Sequence, residues 1–356
     1  MSITIGIFKE DILGRKKASI TIKDIADQLG VSFSTVAKAL KDDPVVAERT
    51  RLLVQEKATE MGYIPNLMAS GLRSKSTRSI GIVLNDLENP TRSHIIKKIT
   101  LGMADHGLTA FIFDSSYDAS LEQKNIISLL SRNPEAIIIS PVEAKLKNIR
   151  LLENVYANTI ILSRPVEGIP ANYVHMDHRQ GGYISASAML ARGHKKNLII
   201  MEPLSYPSGA QFLEGVTRAY KEYGAQLSPE NLVYCLPSLE ITIRVILNLY
   251  NQENRSFKVP FTGVIASSDI AAAGVYQAAR EIGIKIPEEI SVIGYDDLPL
   301  ARLLEPPLTT LSYPMEEIAS LCVDLLVTKV VNQENGLKNI SLKPKLVARD
   351  SVRDIN

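Results

Sequence analysis

The chain has 356 residues, 45% of them hydrophobic and 22% charged, and 40 Lys and Arg against 39 Asp and Glu leave a formal net charge of +1. That is the make-up of a soluble globular protein of two or three folding units, and no apolar run nears the ~18 residues of a membrane-spanning helix. Cys235 and Cys322 show no paired spacing, which argues against a disulfide scaffold and fits buried thiols in a reducing, cytoplasmic setting.

The charge is unevenly spread. Residues 1–78 carry 13 Lys and Arg against 9 Asp and Glu, a mildly basic start of the kind a nucleic-acid module has. Residues 1–18 hold the short apolar piece ITIGIF followed by acidic and then basic residues. That order is wrong for a signal peptide, so the segment reads as a flexible leader; Arg15, Lys16 and Lys17 as a basic arm on DNA is an alternative.

Residues 19–66 read as three short helices. In TIKDIADQL, Ile22, Ile25, Ala26 and Leu29 fall on one helix face, with Thr21 as N-cap and Asp24 in the first turn, where its charge suits the dipole. Gly30 ends that helix, Val31 plugs the turn, and Ser32 caps a second helix expected over Phe33 to Lys41. Val36 and Leu40 form its inward face; Phe33, Ser34, Ala37, Lys38 and Lys41 lie on the other, a ring, a hydroxyl and two ammonium groups facing outward. After DDP, Val54, Ala58 and Met61 recur at helical spacing until Gly62. A glycine turn between the first two of three short helices makes a helix-turn-helix unit.

Residues 67–78 change character. Leu67, Met68 and Leu72 are apolar with no sequence neighbour to bury them, and RSKSTRS reads as a polar, basic linker. From Ser79 to the end, residues 79–356, the runs SIGIVL, LTAFIFDS, EAIIISP, TIILSRP, KNLIIME, FTGVIASS and EISVIGYD alternate with helical stretches, as in parallel doubly wound sheets. Two halves are expected rather than one sheet.

TIKDIADQLGVSFSTVAKALKDDP, then ERTR and EMGYIPN, then SSDIAAAGVYQAAREIGIKIPEEISVIGYDDLPLARLLEPPLTTLSYP, resemble the LacI/GalR family of transcriptional regulators from about Ile20 to Arg353. The resemblance implies an all-α helix-turn-helix headpiece, a hinge helix, and an α/β two-lobed core of the periplasmic-binding-protein type. The first lobe is expected over about 79–177 and 310–340, the second over about 178–309 and 341–356. It further implies a homodimer on a pseudo-palindromic double-stranded DNA operator, a repressor controlled by a sugar-like effector, and no cofactor. Of the helix on the major groove, Phe33, Ser34 and Lys38 match base-reading positions; Phe33 suits a thymine methyl and Lys38 a guanine edge or a phosphate. Thr21, Ser32, Thr35, Asn66, Ala69 and Arg73 complete the implied DNA contacts, and Leu72 matches the residue that wedges between base steps in the minor groove. Read without the resemblance, Phe33 could shield the headpiece core, Lys38 be a solvated charge, and Leu72 pack on the linker face of the core.

Ligands of open α/β sheets sit outside the carboxyl ends of strands. Candidate effector contacts are therefore Asn85, Arg92, Ser163, Arg164, Tyr206, Ser208, Phe212, Ser268, Asp269 and Asp296, the last matching the family's hydroxyl-binding aspartate or else a plain turn carboxylate. The sequence departs from sugar-sensing relatives at Thr91 and Arg92 after NP, at Ser163 and at Phe212. Arg92, with Arg164, is expected to meet an anionic group, unless it is only a surface arginine on a first helical turn. Ala37 and Lys38 also depart from the usual Ser and Arg, so the operator preference is not carried over from better-known members.

His175, Asp177 and His178 straddle a strand end and a helix start, where they diverge, and no metal is expected there. No nucleophile-elbow, zincin, dinucleotide or P-loop spacing occurs, so no enzyme is expected. Ile95, Ile96, Ile99 and Met103 form either a dimer face or a sheet-packing face. The absence of a heptad tail after KPKLVARDSVRD makes a dimer the default. A solute receptor or an enzyme on a sugar-binding fold, without a DNA role, is the competing reading.

Overall fold

The computed structural model describes residues 20–65, 76–142, 147–163, 165–166, 168–332 and 336–356. The chain splits into two compact units, Met1–Lys75 and Ser76–Asn356. The leader and most of the hinge segment lie outside the described residues.

In the first unit, α1 is Ile22–Leu29, α2 is Phe33–Ala39 and α3 is Glu48–Glu60. Local chemistry sets the ends. The Thr21 backbone N–H donates to the Asp24 carboxylate at 2.7 Å while the Asp24 N–H donates to the Thr21 hydroxyl at 3.3 Å, a reciprocal capping box. Gly30 then takes φ 63°, a left-handed turn that side chains resist, and Ser32 accepts the Thr35 N–H at 3.0 Å to start α2. Ile25, Ala26, Val36, Ala39, Val46, Val54 and Ala58 make the small core. One expectation needs correction: α2 stops at Ala39, with Leu40 as its C-cap, so Lys41 lies beyond the helix. Pro44 disfavours helical backbone at Asp43, and Asp42 already turns to φ 57°.

In the second unit, β1 (Ser79–Leu84), β2 (Thr109–Asp114), β3 (Ala136–Ile139), β4 (Thr159–Ile161), β5 (Asn172–Met176) and β13 (Asn339–Leu342) form a parallel sheet ordered β13-β5-β4-β3-β1-β2. A second parallel sheet, ordered β11-β10-β6-β7, contains β6 (Asn197–Met201), β7 (Leu232–Tyr234), β10 (Gly263–Ala266) and β11 (Ser291–Ile293). The short pairs β8 (Tyr250–Asn251) with β9 (Ser256–Phe257), and β12 (Thr310–Ser312) with β14 (Lys345–Val347), are antiparallel. These sheets are the cores of two lobes. The chain passes between them after β5, after β12 and after β13. The first sheet's last strand runs on to Leu342, past the expected limit of 340.

Helices cover both faces of each sheet. On the first, α4 (Pro90–Asp105) packs beside α10 (Met315–Leu326), while α5 (Ala119–Leu130) lies on the opposite face. On the second, α6 (His178–Leu190) and α7 (Pro207–Glu222) cover one face, and α8 (Leu239–Leu249) and α9 (Asp269–Ile282) the other. Ile95, Ile96, Ile99 and Met103 are all buried among Ile80, Ile82, Ile318 and Cys322. That face of α4 therefore packs on the sheet and α10, not on a partner. Among the described residues, no helix is long and apolar enough to cross a membrane.

Candidate functional site

In the headpiece, Val36 and Ala39 turn inward, leaving Phe33 (48% exposed), Ser34 and Lys38 on the outer side of α2. No described acid pairs with the Lys38 ammonium; among the described residues the headpiece ion pairs are Arg51–Asp42 and Lys57–Glu60. Phe33 adds little to the core, because half of its surface faces solvent. Thr21, Ser32 and Thr35 are first of all cap residues: the Thr21 hydroxyl donates to Asp24 at 2.7 Å, and the Ser32 and Thr35 hydroxyls share a 2.8 Å hydrogen bond. All three remain at the open N-terminal ends of α1 and α2, Thr21 and Ser32 exposed and Thr35 partly so. Asn66, Ala69, Leu72 and Arg73 lie outside the described residues.

The core holds a cavity of about 110 Å³ at the carboxyl ends of strands from both sheets. Asn85, Arg92, Ser163, Tyr206, Ser208, Phe212, Ser268 and Asp296 all line it. Arg164 lies outside the described residues.

Arg92 is placed by its helix start. Asn89 caps α4, accepting the Thr91 and Arg92 N–H groups at 3.0 and 3.3 Å, and Pro90 fits the first helical position. The Arg92 side chain then enters the cavity, where Nη1 donates to the Ser140 hydroxyl at 2.7 Å, which in turn donates to Asn85 at 3.0 Å. Its Nε is buried without a partner among the described residues. Burial works against the charge, but Tyr117, Tyr313, Glu202 and Asp86 outweigh it and hold the guanidinium above its ordinary pKa. It is not the alternative surface arginine.

The opposite wall comes from the second lobe. The close crossing of α6 and α7 fixes Phe212: a Cβ on Gly182 would stand 2.0 Å from the Phe212 carbonyl oxygen, and one on Gly215 would stand 1.9 Å from that of Arg179. Asp296 sits at φ 116°, next to Asp297 at φ 55°, a left-handed pair of the sort found where backbone is held for function. Asp297 accepts from Arg349 at 2.5 Å, whereas Asp296 lines the cavity. Burial pushes the Asp296 carboxyl well above the ordinary range; Asp269 and Glu202 add to this, and Arg92 opposes it.

Asp269 is a correction. It is buried behind the wall, with one oxygen accepting the Thr310 hydroxyl at 2.5 Å and the other the Leu298 N–H at 2.8 Å, and it ties α9 to the segments beyond β11. Burial pushes its carboxyl up to about 7, opposed by those two hydrogen bonds. The folded state thus holds this proton more tightly than the unfolded chain. Its stabilising share is complete below the ordinary value of 3.8 and lost as pH rises through about 7. Thermal melting of the core should decline between about pH 4 and 7, and Asp269→Asn, able to accept from Leu298 and donate to Thr310, should erase that decline. Parallel profiles for the two proteins would refute the assignment.

Several lining residues escaped the sequence reading. Glu202 directly follows β6; Ser208 donates to it, as does the Tyr117 hydroxyl at 3.5 Å from the other lobe. Its position at a strand end was the available signal. His175 and His178 line the cavity as well, beside Tyr295 and Tyr313. Burial, then the charges of Arg92 and His175, push the His178 imidazole down to about 4, so it stays neutral. Among the described residues, no group of three His, Cys, Asp or Glu is placed to hold a metal ion.

This geometry agrees with comparisons to known proteins. Residues 21–66 match the family model described as bacterial regulatory proteins, lacI family, and residues 186–352 match a periplasmic binding protein-like domain. The HTH-type transcriptional repressor PurR of Klebsiella pneumoniae (strain ATCC 700721) is 30% identical over 339 residues, 94% of this chain and 97% of that protein. The ribose operon repressor of Haemophilus influenzae is 27% identical, covering 93% and 98%. Among solved structures, the lac repressor dimer bound to operator and the anti-inducer ONPF superposes with a TM-score of 0.77 at 24% identity, over 94% of this chain and 99% of that one. A regulator from Enterococcus faecium with bound ribose gives 0.67 at 22% identity, over 78% and 100%.

Proposed function

Because the chain belongs to the lacI family of bacterial regulatory proteins, a DNA-binding transcriptional regulator under small-molecule control, we propose that α2 reads an operator through Phe33, Ser34 and Lys38 and that the cavity between the lobes takes the effector. The carrying observation is the outer face of α2, where a ring, a hydroxyl and an ammonium that no described acid pairs stand together over a properly capped turn. A helix so placed fits the major groove, where Lys38 donates to guanine O6 and N7, Ser34 donates or accepts, and Phe33 covers a thymine methyl. Thr21, Ser32 and Thr35 sit at helix N-terminal ends, which suit phosphate oxygens. From sequence alone, Asn66, Ala69, Leu72 and Arg73 extend these contacts toward the minor groove. Relatives of this kind act as repressors and dimers, and a twin headpiece reads a two-fold related half-site about one helical turn away.

The test is selection of bound duplexes from random DNA, with and without a metabolite extract. We expect a pseudo-palindromic preference that the extract alters. Lys38→Ala should cost about 1–3 kcal/mol on the selected duplex and relax the preference at one base pair per half-site. Uniform weakening on every duplex would make Lys38 a phosphate contact; no preference under any condition would overturn the reading.

A further inference from the structure

Among the described residues, the cavity's charged lining is one guanidinium, Arg92, and two carboxylates, Glu202 and Asp296, with His175 and His178 beside them. They are divided by lobe. Arg92 belongs to the first, at the start of α4; both carboxylates belong to the second. Glu202 follows β6 and Asp296 follows β11, the strands on either side of β10. Ser268, which follows β10, stands between them and also lines the cavity. With neighbouring strands about 4.8 Å apart, the two backbones are about 10 Å apart and their side chains border one small space. The second lobe therefore presents a wall of acceptors: carboxylate, hydroxyl, carboxylate.

Among the described residues this space holds two carboxyl groups to one guanidinium. Glu202 accepts from the Ser208 and Tyr117 hydroxyls, the pattern of an ionised carboxylate. Asp269 lies behind Asp296, and among the described lining residues Arg92 is the one guanidinium facing them, while the His178 imidazole stays neutral. Tyr313 and Tyr117 keep their protons, with burial raising both phenols. Arg92 therefore already faces carboxyl groups across the cavity, so an anionic group on the ligand is not required. The disfavoured ionisation of Asp296 is the corresponding sign that more positive charge would be welcome at this wall.

We propose that the ligand of this cavity carries a protonated amine, seated against the wall formed by Glu202, Ser268 and Asp296. The proposal rests on the cavity being the effector site. An ammonium group offers three donors to this row of acceptors, and charge-assisted hydrogen bonds are the strong ones. An amino sugar and an amino acid share this chemistry; in the second, Arg92 takes the carboxylate.

The full-length protein should be titrated calorimetrically with hexosamines against the matching neutral hexoses, and with α-amino acids against the matching 2-hydroxy acids. In parallel, a cell metabolite extract should be split on a cation exchanger at neutral pH and each fraction tested on binding to the selected duplex. We expect the retained, amine-bearing fraction to change DNA binding. We also expect one amine series to bind at least about tenfold tighter than its neutral counterparts, a difference of about 1.4 kcal/mol. Which series does so identifies the source. Glu202→Gln, and independently Asp296→Asn, should bring that preference near parity in protein whose core still melts cooperatively. An effect confined to the unretained fraction, a neutral or acidic member binding tighter than its amine, or an amine preference that survives both variants would overturn the proposal and leave the effector site standing. If no fraction alters DNA binding, the effector reading falls with it.

Discussion

Val36→Asp should abolish operator binding while the core keeps its own melting transition. Val36 is fully buried in a headpiece core of only seven residues. A unit of this size holds a net stability of about 3–5 kcal/mol at best. An unpaired buried carboxylate costs several kcal/mol, and no cation of the headpiece core stands ready to pair with it. The headpiece therefore unfolds rather than weakens. The loss exceeds that of Lys38→Ala, which removes one contact from an intact reading surface. Fluorescence anisotropy on the selected duplex, together with a calorimetric scan that resolves the two units, provides the check. Sequence-specific binding of undiminished strength by the variant would mean that Val36 does not sit in this core.

Gly215→Ala is expected to be the most damaging single methyl added to the core. Alanine is the better helix former by about 1 kcal/mol, so on propensity alone it should stabilise α7. The contacts say the opposite. Its Cβ would lie 1.9 Å from the Arg179 carbonyl oxygen and 2.6 Å from the Tyr183 amide nitrogen, and backbone cannot swing aside as a side chain can. The two helices must part, and overpacking of this kind costs about 1–3 kcal/mol or more, so a net loss of about 2 kcal/mol is expected. Phe212, whose carbonyl meets Gly182 at the same crossing, moves with α7, so ligand affinity should fall along with stability. Denaturant titration of the core with and without ligand measures both; a more stable variant would show that the helices do not cross this closely.

What could be read from the amino acids beforehand follows from the range of the forces involved. The caps at Thr21, Gly30 and Ser32 are settled within three or four residues, so sequence shows them directly. Ala39 is fully buried yet inconspicuous in the sequence, because a methyl gives little hydrophobic signal and only the packing of α3 against it gives it importance. The strand-end rule points to Asn85, Arg92 and Asp296, which line one cavity because a parallel sheet always brings those ends together. It could not separate Asp269 from Arg92. Both open a helix after a strand, and only distant Leu298 and Thr310 turn the first inward. Glu202 acquires meaning from Tyr117 in the other lobe, a partnership that no local pattern contains. The apolar face of α4 was ambiguous for the same reason, and α10, far along the chain, resolves it.

The strand Asn339–Leu342 joins the first sheet beside Asn172–Met176, and the Lys338 N–H donates to the Asn172 side chain at 3.1 Å across 166 positions. Synthesis runs from the other end. The headpiece can finish folding early, but the sheet nearest to it in sequence lacks its outer strand until position 342 has left the ribosome, and an incomplete sheet invites aggregation. A nonsense mutation anywhere upstream of Leu342 therefore spares neither half of the sensor, and no cut at a lobe boundary yields two expressible fragments. The clamshell is manufactured whole or discarded.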